Sequence, residues 1–329
     1  MGWRSLRVVV VLLLLPAAGA ACGTRSAAPR AAAAPARTGR ESRPADRTTP
    51  EPGVRVQIIQ AGRAPRKALR YQFRRDHLGV MSTVFDMDMS YRIGSGGAFH
   101  TPSPPMAMDM EVTGLTVTGG IARQTFRVSR FDVTTSPSDA TDEKTRQAYN
   151  QSLAVMVGMT GWIEMDDRGR LRAMRYDIPP SLPAASRAIL EGMSQSGAEL
   201  VVPLPEEPVG AGAEWYVVKE TPLMGIALTQ STRVRLVAVD GDRATLSYTV
   251  DIGAGNQPFA LPGLPAGTTA ELMSCDGSGG ADIELDLGWL SPTRMNVHAQ
   301  NVMNIELTTG AEKQQVEVQV RMSMEVVRR

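Results

Sequence analysis

Apolar and polar residues alternate along most of the chain after residue 53. In the last segment, residues 316–326, Val or Met occupies every second position, and charged, amide or hydroxyl side chains fill the positions between. This period of two predicts β-strands that bury one face and expose the other. The same pattern predicts further strands at residues 67–75, 81–91, 106–118, 121–134, 161–166, 170–177, 214–219, 228–239, 243–253, 283–289 and 295–307.

Two segments have helical spacing instead. Residues 138–157 place Tyr149, Leu153 and Met156 at helical intervals behind an acidic first turn, which predicts an amphipathic helix. Residues 182–193 predict a second, shorter helix with Pro183 in its first turn.

The order of these elements predicts a mainly β or α+β fold. We expect a long, curved antiparallel sheet, half-barrel-like, with two helices packed on it. Hairpin turns are predicted at residues 167–169, 240–242 and 309–310. Residues 165–174 and 285–295 resemble each other, which leaves two interpretations open: related halves that meet near residue 200, or the common appearance of Asp-x-Gly hairpins.

The N-terminal 21 residues have the layout of a secretory signal peptide. Arg4 and Arg7 precede an apolar run at residues 8–15, and small residues lead to Cys22. The apolar run is shorter than the roughly 20 residues that span a bilayer. The segment resembles the lipobox of bacterial lipoproteins, which implies lipidation of Cys22, although Gly19 stands where Leu, Val or Ile is usual. The alternative is ordinary secretion, with cleavage after Ala20 or Ala21.

Residues 22–53 are rich in Ala, Pro and Arg and nearly devoid of large apolar side chains. Such a stretch cannot bury enough surface to offset the entropy of ordering it, so we expect a disordered, lipid-anchored tether. Fully extended, it would reach roughly 90–100 Å. The folded domain then covers residues 54–329 and stands away from the membrane.

A second resemblance lies further along the chain. In residues 202–215, a proline-rich turn leads into Val209-Gly-Ala-Gly-Ala-Glu-Trp215. This block resembles one in bacterial envelope lipoproteins of a DUF6263-like kind, and the glycines of residues 277–280 and 286–288 are similar to their second half. That family has no assigned activity, so the resemblance implies an envelope lipoprotein and no catalytic residues. The predicted architecture is also similar to that of periplasmic lipoprotein carriers, whose curved sheets enclose an acyl chain.

The chain contains 18 methionines, several of them at strand parity. Such flexible thioether side chains suit a concave face that adapts to an apolar ligand. Core packing and a Cu(I)-binding thioether array are the alternatives. His77, His100 and His298 lie elsewhere in the sequence, and we expect no metal site. The candidate ligand face comprises Met87, Met89, Met106, Met108, Met110, Met322 and Met324.

Signatures of enzymes and of nucleic-acid binding are missing from the sequence. The net charge of +1 argues against nucleic acid as a partner. Asp86 and Asp88 fall on the polar face of their strand, and the glycines of residues 94–97 match neither a nucleophile elbow nor a dinucleotide loop. We therefore expect no catalytic residues and no cofactor. Cys275 is predicted to be a small residue in a Gly/Ser loop. A catalytic thiol, or a bridge to an unlipidated Cys22, is the alternative.

These patterns predict a non-enzymatic envelope lipoprotein that binds an apolar or lipid-like ligand. The lipid on Cys22 would hold it to a bacterial membrane, the outer one in a Gram-negative cell, with the domain in the periplasm or at the cell surface. The alternative is a structural or interaction module that contacts another envelope protein and has no small-molecule ligand.

Overall fold

A computed structural model describes most of the chain beyond the predicted tether. The described residues are 54–74, 79–101, 103–135, 141–178, 182, 187, 201–223, 226–259, 264–265 and 267–329. The predicted signal peptide and tether (residues 1–53), and with them Cys22, lie outside these ranges. So does most of the second predicted helix, at residues 182–193.

Antiparallel strands dominate the described chain, and a single helix is found there. The elements are β1 (Arg55–Gln60), β2 (Val80–Ile93), β3 (Ala98–Thr101), β4 (Met106–Thr118), β5 (Ile121–Val133), α1 (Glu143–Ala154), β6 (Thr160–Asp166), β7 (Leu171–Asp177), β8 (Glu214–Leu223), β9 (Ile226–Asp240), β10 (Arg243–Ala254), β11 (Gln257–Phe259), β12 (Thr268–Asp286), β13 (Arg294–Thr309) and β14 (Glu312–Arg328).

All of the strands belong to one 14-stranded sheet. Its main order is β1-β8-β9-β10-β12-β13-β14-β2-β4-β5-β6-β7, while β3 pairs with β2 and β11 with β12. Strands β2–β7 and β8–β14 thus form two runs of neighbours that join where β14 pairs with β2, while β1 lies beside β8 at the far end of the second run. Among the described strands, β1 and β7 are the two edges, and the sheet does not close on itself. The predicted mainly β fold with a long antiparallel sheet is confirmed, and the sequence relation between its halves stays a prediction.

Hairpin turns connect the strands where the sequence predicts them. Gly169, Gly241 and Gly310 have φ angles of 75°, 55° and 60°. These values lie in the left-handed region, which glycine adopts without steric cost. The turns join β6 to β7, β9 to β10 and β13 to β14.

The predicted strand at residues 67–75 is wrong. Residues 67–74 do alternate in burial, with Leu69, Tyr71 and Phe73 pointing into the core. Their backbone hydrogen bonds, however, go to separate partners: the Tyr71 N–H donates to the Asp167 carbonyl (2.8 Å) and the Gln72 N–H to the Leu287 carbonyl (2.7 Å). We call residues 67–74 the base strap, because they tie the β6–β7 and β12–β13 turns together at one end of the sheet, the base.

The predicted Gly/Ser loop around Cys275 is also wrong. Residues 268–286 form the single strand β12, which pairs with β10 and β13 across the glycines of residues 277–280. Glycine is usually unfavourable in a strand, and here it marks a place where another group approaches the backbone closely. Strand β1 was not predicted at all.

Helix α1 begins after Asp142, whose side chain accepts a hydrogen bond from the Thr145 N–H (3.0 Å). It is shorter than the predicted span of residues 138–157. The helix packs against β5, where the Val133 N–H donates to the Asn150 side chain (2.7 Å) and Leu153 is buried.

The apolar residues on the inner face of the sheet form two main clusters. The lower cluster lies towards the base and contains Trp215, Leu246, Ile283 and the buried residues of the base strap. The upper cluster lies at the other end of the long strands and contains Leu272, Ile305, Val318 and Val320. A third, smaller cluster lies between them on β10, where Tyr248 and Ile252 pack against the buried Val250. The residues around it are the part of the inner face that bears on function.

Candidate ligand face

The seven methionines of the candidate ligand face share the inner face of three neighbouring strands. Met87 on β2 lies directly opposite Met322 on β14. Met106 and Met324 lie on either side of Phe85. Met89, Met108 and Met110 continue the same face along β2 and β4, opposite Val320, Thr83 and Met81.

These methionines differ in burial, and this difference distinguishes those that pack in the core from those that remain partly accessible. Met87, Met89, Met106 and Met324 are 4%, 1%, 3% and 7% exposed and pack within the two clusters. For these four, core packing accounts for the side chain. Met108 and Met110 are half-buried against the lower cluster. Met322 is half-buried and is a member of neither described cluster.

Polar and small residues lie between the two clusters on β8, β9, β12 and β13, and the apolar Val250 and Ile252 lie between them on β10. On β9, Thr232 and Gln230 lie between Val234 of the lower cluster and Leu228 of the upper cluster. Gly279 and Gly277 occupy the matching positions on β12, and Ala299 and Asn301 those on β13. On β8, Lys219 lies opposite Gln230. We call Lys219, Gln230, Thr232 and Asn301 the polar band.

The Asn301 side chain lies across β12 at Gly277. A Cβ atom at residue 277 would stand 2.0 Å from the Asn301 Oδ1 atom, so only glycine leaves room for this amide. The Cys275 thiol, 3.9 Å away, donates a weak hydrogen bond to the same Oδ1 atom. Burial, together with the nearby Asp276 carboxylate, raises the pKa of Cys275 to about 11, so the thiol remains protonated at neutral pH. A protonated, buried thiol is a poor nucleophile, which disfavours the catalytic alternative for Cys275.

The other end of the polar band lies on β8 and β9. The Gln230 amide donates to the Thr232 hydroxyl oxygen (3.2 Å). Thr232 is 8% exposed, whereas Gln230 and Lys219 are half-buried. Polar side chains therefore lie on the inner face of β8, β9 and β13, whereas the matching positions on β10 are the apolar Val250 and Ile252.

Sequence reasoning missed this band, although one signal was present. Along β13, inward positions 295, 297, 299, 303, 305 and 307 are apolar, and Asn301 alone interrupts them. An amide at a core-facing position costs free energy unless it finds a partner, so such an interruption marks a position that packing does not explain.

The remaining sequence candidates lie outside the concave face. Asp86 and Asp88 point outward, where Asp88 contacts His100 (3.0 Å from Oδ1 to Nδ1). His298 is exposed on the outer side of β13. The glycines of residues 94–97 form the turn between β2 and β3. His77 lies outside the described residues, as does Cys22.

Two further searches covered the described ranges only. They hold no group of three or more His, Cys, Asp and Glu side chains placed to bind a metal ion. Nor do they contain a helix with the length and apolar character needed to cross a membrane. A cavity of about 10 Å³ lies at the base beside Arg74 and Trp289, room for about one water molecule.

No protein-family model matches the chain, and no curated protein sequence does. Solved structures match only remotely. A protein reported under "Asymmetric conductivity of engineered proteins" and a mutant of the Rh. blastica porin each share 10% identity, with a TM-score of 0.18 over 75% of this chain and 100% of theirs. Pseudomonas aeruginosa OpdQ shares 9%, with a TM-score of 0.19 over 76% of this chain and 97% of its own. TM-scores of this size do not indicate a shared fold.

Proposed function

We propose that this protein is a non-enzymatic lipoprotein of the bacterial cell envelope whose concave sheet face binds an apolar, lipid-like ligand. The lipid on Cys22 tethers it to the membrane, and residues 22–53 hold the domain at a distance from the bilayer. The DUF6263-like resemblance and the lipobox-like leader support the envelope-lipoprotein part of this proposal.

The observation that carries the ligand-binding proposal is the interruption of the apolar inner face. A sheet that served only to bury its own core would be expected to carry large apolar side chains across the whole concave surface. Here small residues, Gly279 and Ala299, stand where large apolar ones would be expected between the clusters, and the half-buried Met322 lies opposite Ala299. A flexible thioether at such a place adapts to ligands of varied shape.

Native mass spectrometry of the full chain, released from mild detergent, tests this function. With 1-hexadecanol as the added probe, we expect a 1:1 complex for the wild type and its loss in Met322→Glu, which places a carboxylate on the inner face. Met273→Glu is the matched control, because Met273 is 37% exposed at a bulge of β12. Ala299→Leu, which adds bulk to the same part of the inner face without adding charge, should also lose the complex. A wild type that binds no hexadecanol would contradict the proposal.

A second candidate function, the interaction module, is favoured by a different surface. Ile59, Tyr216 and Val218 are 45%, 38% and 36% exposed on or beside the edge strand β1. An unpaired edge with exposed apolar side chains is a common place for another chain to add. This function predicts unchanged behaviour of Met322→Glu and loss of a protein partner in Tyr216→Lys, measured by crosslinking in intact cells.

A further inference from the structure

Asn301 is a single polar side chain within an apolar part of the concave face. It is half-buried, and the inward positions that surround it on β12, β13 and β14 carry no charged side chain and no amide or hydroxyl group. These neighbours are Cys275, Gly277, Gly279, Ala299, Met303, Val318, Val320 and Met322. A ligand that lies against Asn301 therefore meets one amide in an otherwise apolar surrounding.

The Asn301 amide is oriented by its contacts with β12. A Cβ atom at residue 277 would lie 2.0 Å from Oδ1 but 3.4 Å from Nδ2, so the oxygen is turned towards β12 and the nitrogen away from it. The Cys275 thiol donates to the same Oδ1 atom (3.9 Å). The amide oxygen can accept the thiol hydrogen and the amide nitrogen cannot, which fixes the end of the amide that faces β12.

The amide nitrogen of Asn301 is free to donate to a ligand. Among the described residues Nδ2 has no hydrogen-bond partner, and it retains solvent-accessible surface. Covering such a donor with an apolar ligand that brings no acceptor costs about 1–3 kcal/mol. The concave face therefore favours a ligand that places an oxygen acceptor at this amide.

An ester suits this surrounding better than a carboxylate, an alcohol or an amide. No cationic side chain stands among the inward neighbours of Asn301, so an ionised group would lose its hydration without gaining a counter-charge. The O–H of an alcohol or the N–H of an amide would find no oxygen or nitrogen acceptor on the side chains of the same neighbours. A carboxylic ester has acceptors only, so it leaves no donor unsatisfied.

The apolar surface extends further from Asn301 towards the upper end than towards the base. Above the amide, β13 continues from residue 301 to Leu307 along the upper cluster, a distance of about 20 Å. Below it, the half-buried Ala299 is followed by Val297, which is 3% exposed. A long chain can therefore lie along the surface above the amide, and only a short group below it.

We propose that the ligand is a neutral ester of a long-chain acid whose carbonyl oxygen accepts a hydrogen bond from Asn301 Nδ2. The acyl chain packs against the upper cluster, and the alcohol part lies beside Ala299 and Met322. This inference rests on the proposed function, since it specifies the class of ligand that the concave face takes. It assigns Asn301 as the residue that selects for the ester.

Native mass spectrometry of the full chain in a maltoside detergent tests this selection with two probes of equal chain length, ethyl palmitate and nonadecane. The wild type should bind ethyl palmitate about 5-fold more tightly, the value of one neutral hydrogen bond. Asn301→Leu, which keeps the shape of the side chain and removes its donor, should abolish this preference and still bind nonadecane. The matched control, Asn296→Leu, lies on the exposed outer face of the same strand and should keep the full preference.

Infrared spectroscopy of bound ethyl palmitate, with ¹²C or ¹³C at the carbonyl carbon, tests the contact itself. A hydrogen bond to the carbonyl oxygen lowers its stretching frequency, so the ester bound to the wild type should absorb at a lower wavenumber than in hexane. In Asn301→Leu the band should lie near its position in hexane. An unshifted band in the wild type overturns the assignment, whether or not the variant folds.

The outcomes separate this inference from the function on which it rests. Equal binding of the two probes by the wild type, or an ester preference that survives Asn301→Leu, overturns the ester assignment and leaves apolar binding in place. Failure of the wild type to bind ethyl palmitate, nonadecane or 1-hexadecanol overturns both. Loss of the preference and of the band shift in Asn301→Leu alone supports the assignment.

Discussion

Gly277 is the residue on which the shape of the polar band depends. Its missing side chain makes room for the Asn301 amide, and an added Cβ would stand 2.0 Å from Oδ1. Gly277→Ala should lower the free energy of unfolding by about 1 kcal/mol, because a short side chain must be displaced rather than the backbone. In an Asn301→Ala background, the same change should cost much less. Urea unfolding measures this coupling in a double-mutant cycle.

Gly255→Ala is the control for this cycle, since a Cβ there would meet no atom within 4 Å. We expect it to leave stability within about 0.5 kcal/mol of the wild type. An equal cost of Gly277→Ala with and without the Asn301 side chain would contradict the contact.

The carboxylate of Asp166, the last residue of β6, predicts that the stability of the fold depends on pH. Burial alone would raise its pKa, but hydrogen bonds from the backbone and guanidinium of Arg170 and from the Arg168 N–H outweigh burial and hold the pKa below its usual value. A lowered pKa in the folded state means that the carboxylate stabilises the fold fully above its unfolded-state pKa of about 4 and loses this effect as the pH falls through the folded-state value.

Asp166→Asn should therefore cost about 2 kcal/mol at pH 7 and progressively less below pH 4. Urea unfolding at several pH values measures the difference from the wild type. Asp167→Asn serves as the control, because the Asp167 side chain is 53% exposed and contacts Arg70 only at 3.8 Å. A constant deficit of Asp166→Asn down to pH 2 would show that the carboxylate charge is not what stabilises the turn.

Single residues also show where sequence reasoning succeeds and where it stops. The parity of Met87 and Met322 predicts that both point inward, since alternation fixes the face of a strand. It does not predict that they lie opposite each other, because register between strands distant in sequence depends on the whole sheet. Asn301 was overlooked because one polar residue in an apolar series is averaged away when periodicity is judged over a window.

At the scale of elements, the base strap connects two turns and adds buried side chains to the lower cluster. Leu69 is fully buried in the lower cluster, although its segment pairs with no single strand. Leu69→Ala should destabilise the protein by about 3 kcal/mol through the cavity that it leaves. Val237→Ala, at a position 48% exposed on β9, should change stability by less than about 0.5 kcal/mol.

Thermal and urea unfolding measure these two variants. Hydrogen exchange adds a separate check, since the Tyr71 and Gln72 amides donate to turn carbonyls and should exchange as slowly as those of neighbouring strands. Fast exchange of both amides, with a small effect of Leu69→Ala, would mean that the strap is only loosely attached to the sheet.

The elements themselves were predictable to different degrees. Strands such as β4, β5 and β10 were predicted almost to the residue, because each buries one face and ends at a turn. The strap was mistaken for a strand since alternation reports burial and not hydrogen-bond partners. The first half of β12 was mistaken for a loop because of its glycines. The Asn301 side chain and the β10 backbone approach these glycines closely, and no local sequence pattern reveals that approach.

At the scale of the whole molecule, the proposed tether makes its own prediction. Cells grown with an alkyne analogue of palmitate should incorporate label into the wild type and into Cys275→Ala, whose thiol is 3% exposed in the fold. Cys22→Ala should remove the label, because no other residue of the leader matches the lipobox cysteine. In-gel fluorescence after coupling to a dye measures incorporation. Label retained in Cys22→Ala would exclude lipidation at this residue.

The central claim, that the concave face binds an apolar ligand, is tested most directly by NMR of the full chain with ¹³C-methyl-labelled methionine. On titration with 1-hexadecanol, the methyl signals of Met322 and Met303 should shift together and saturate, since both lie half-buried on the inner face. The signal of Met273, on an exposed bulge, should stay unchanged. Shifts confined to Met273, or no saturable shift at Met322, would contradict the account.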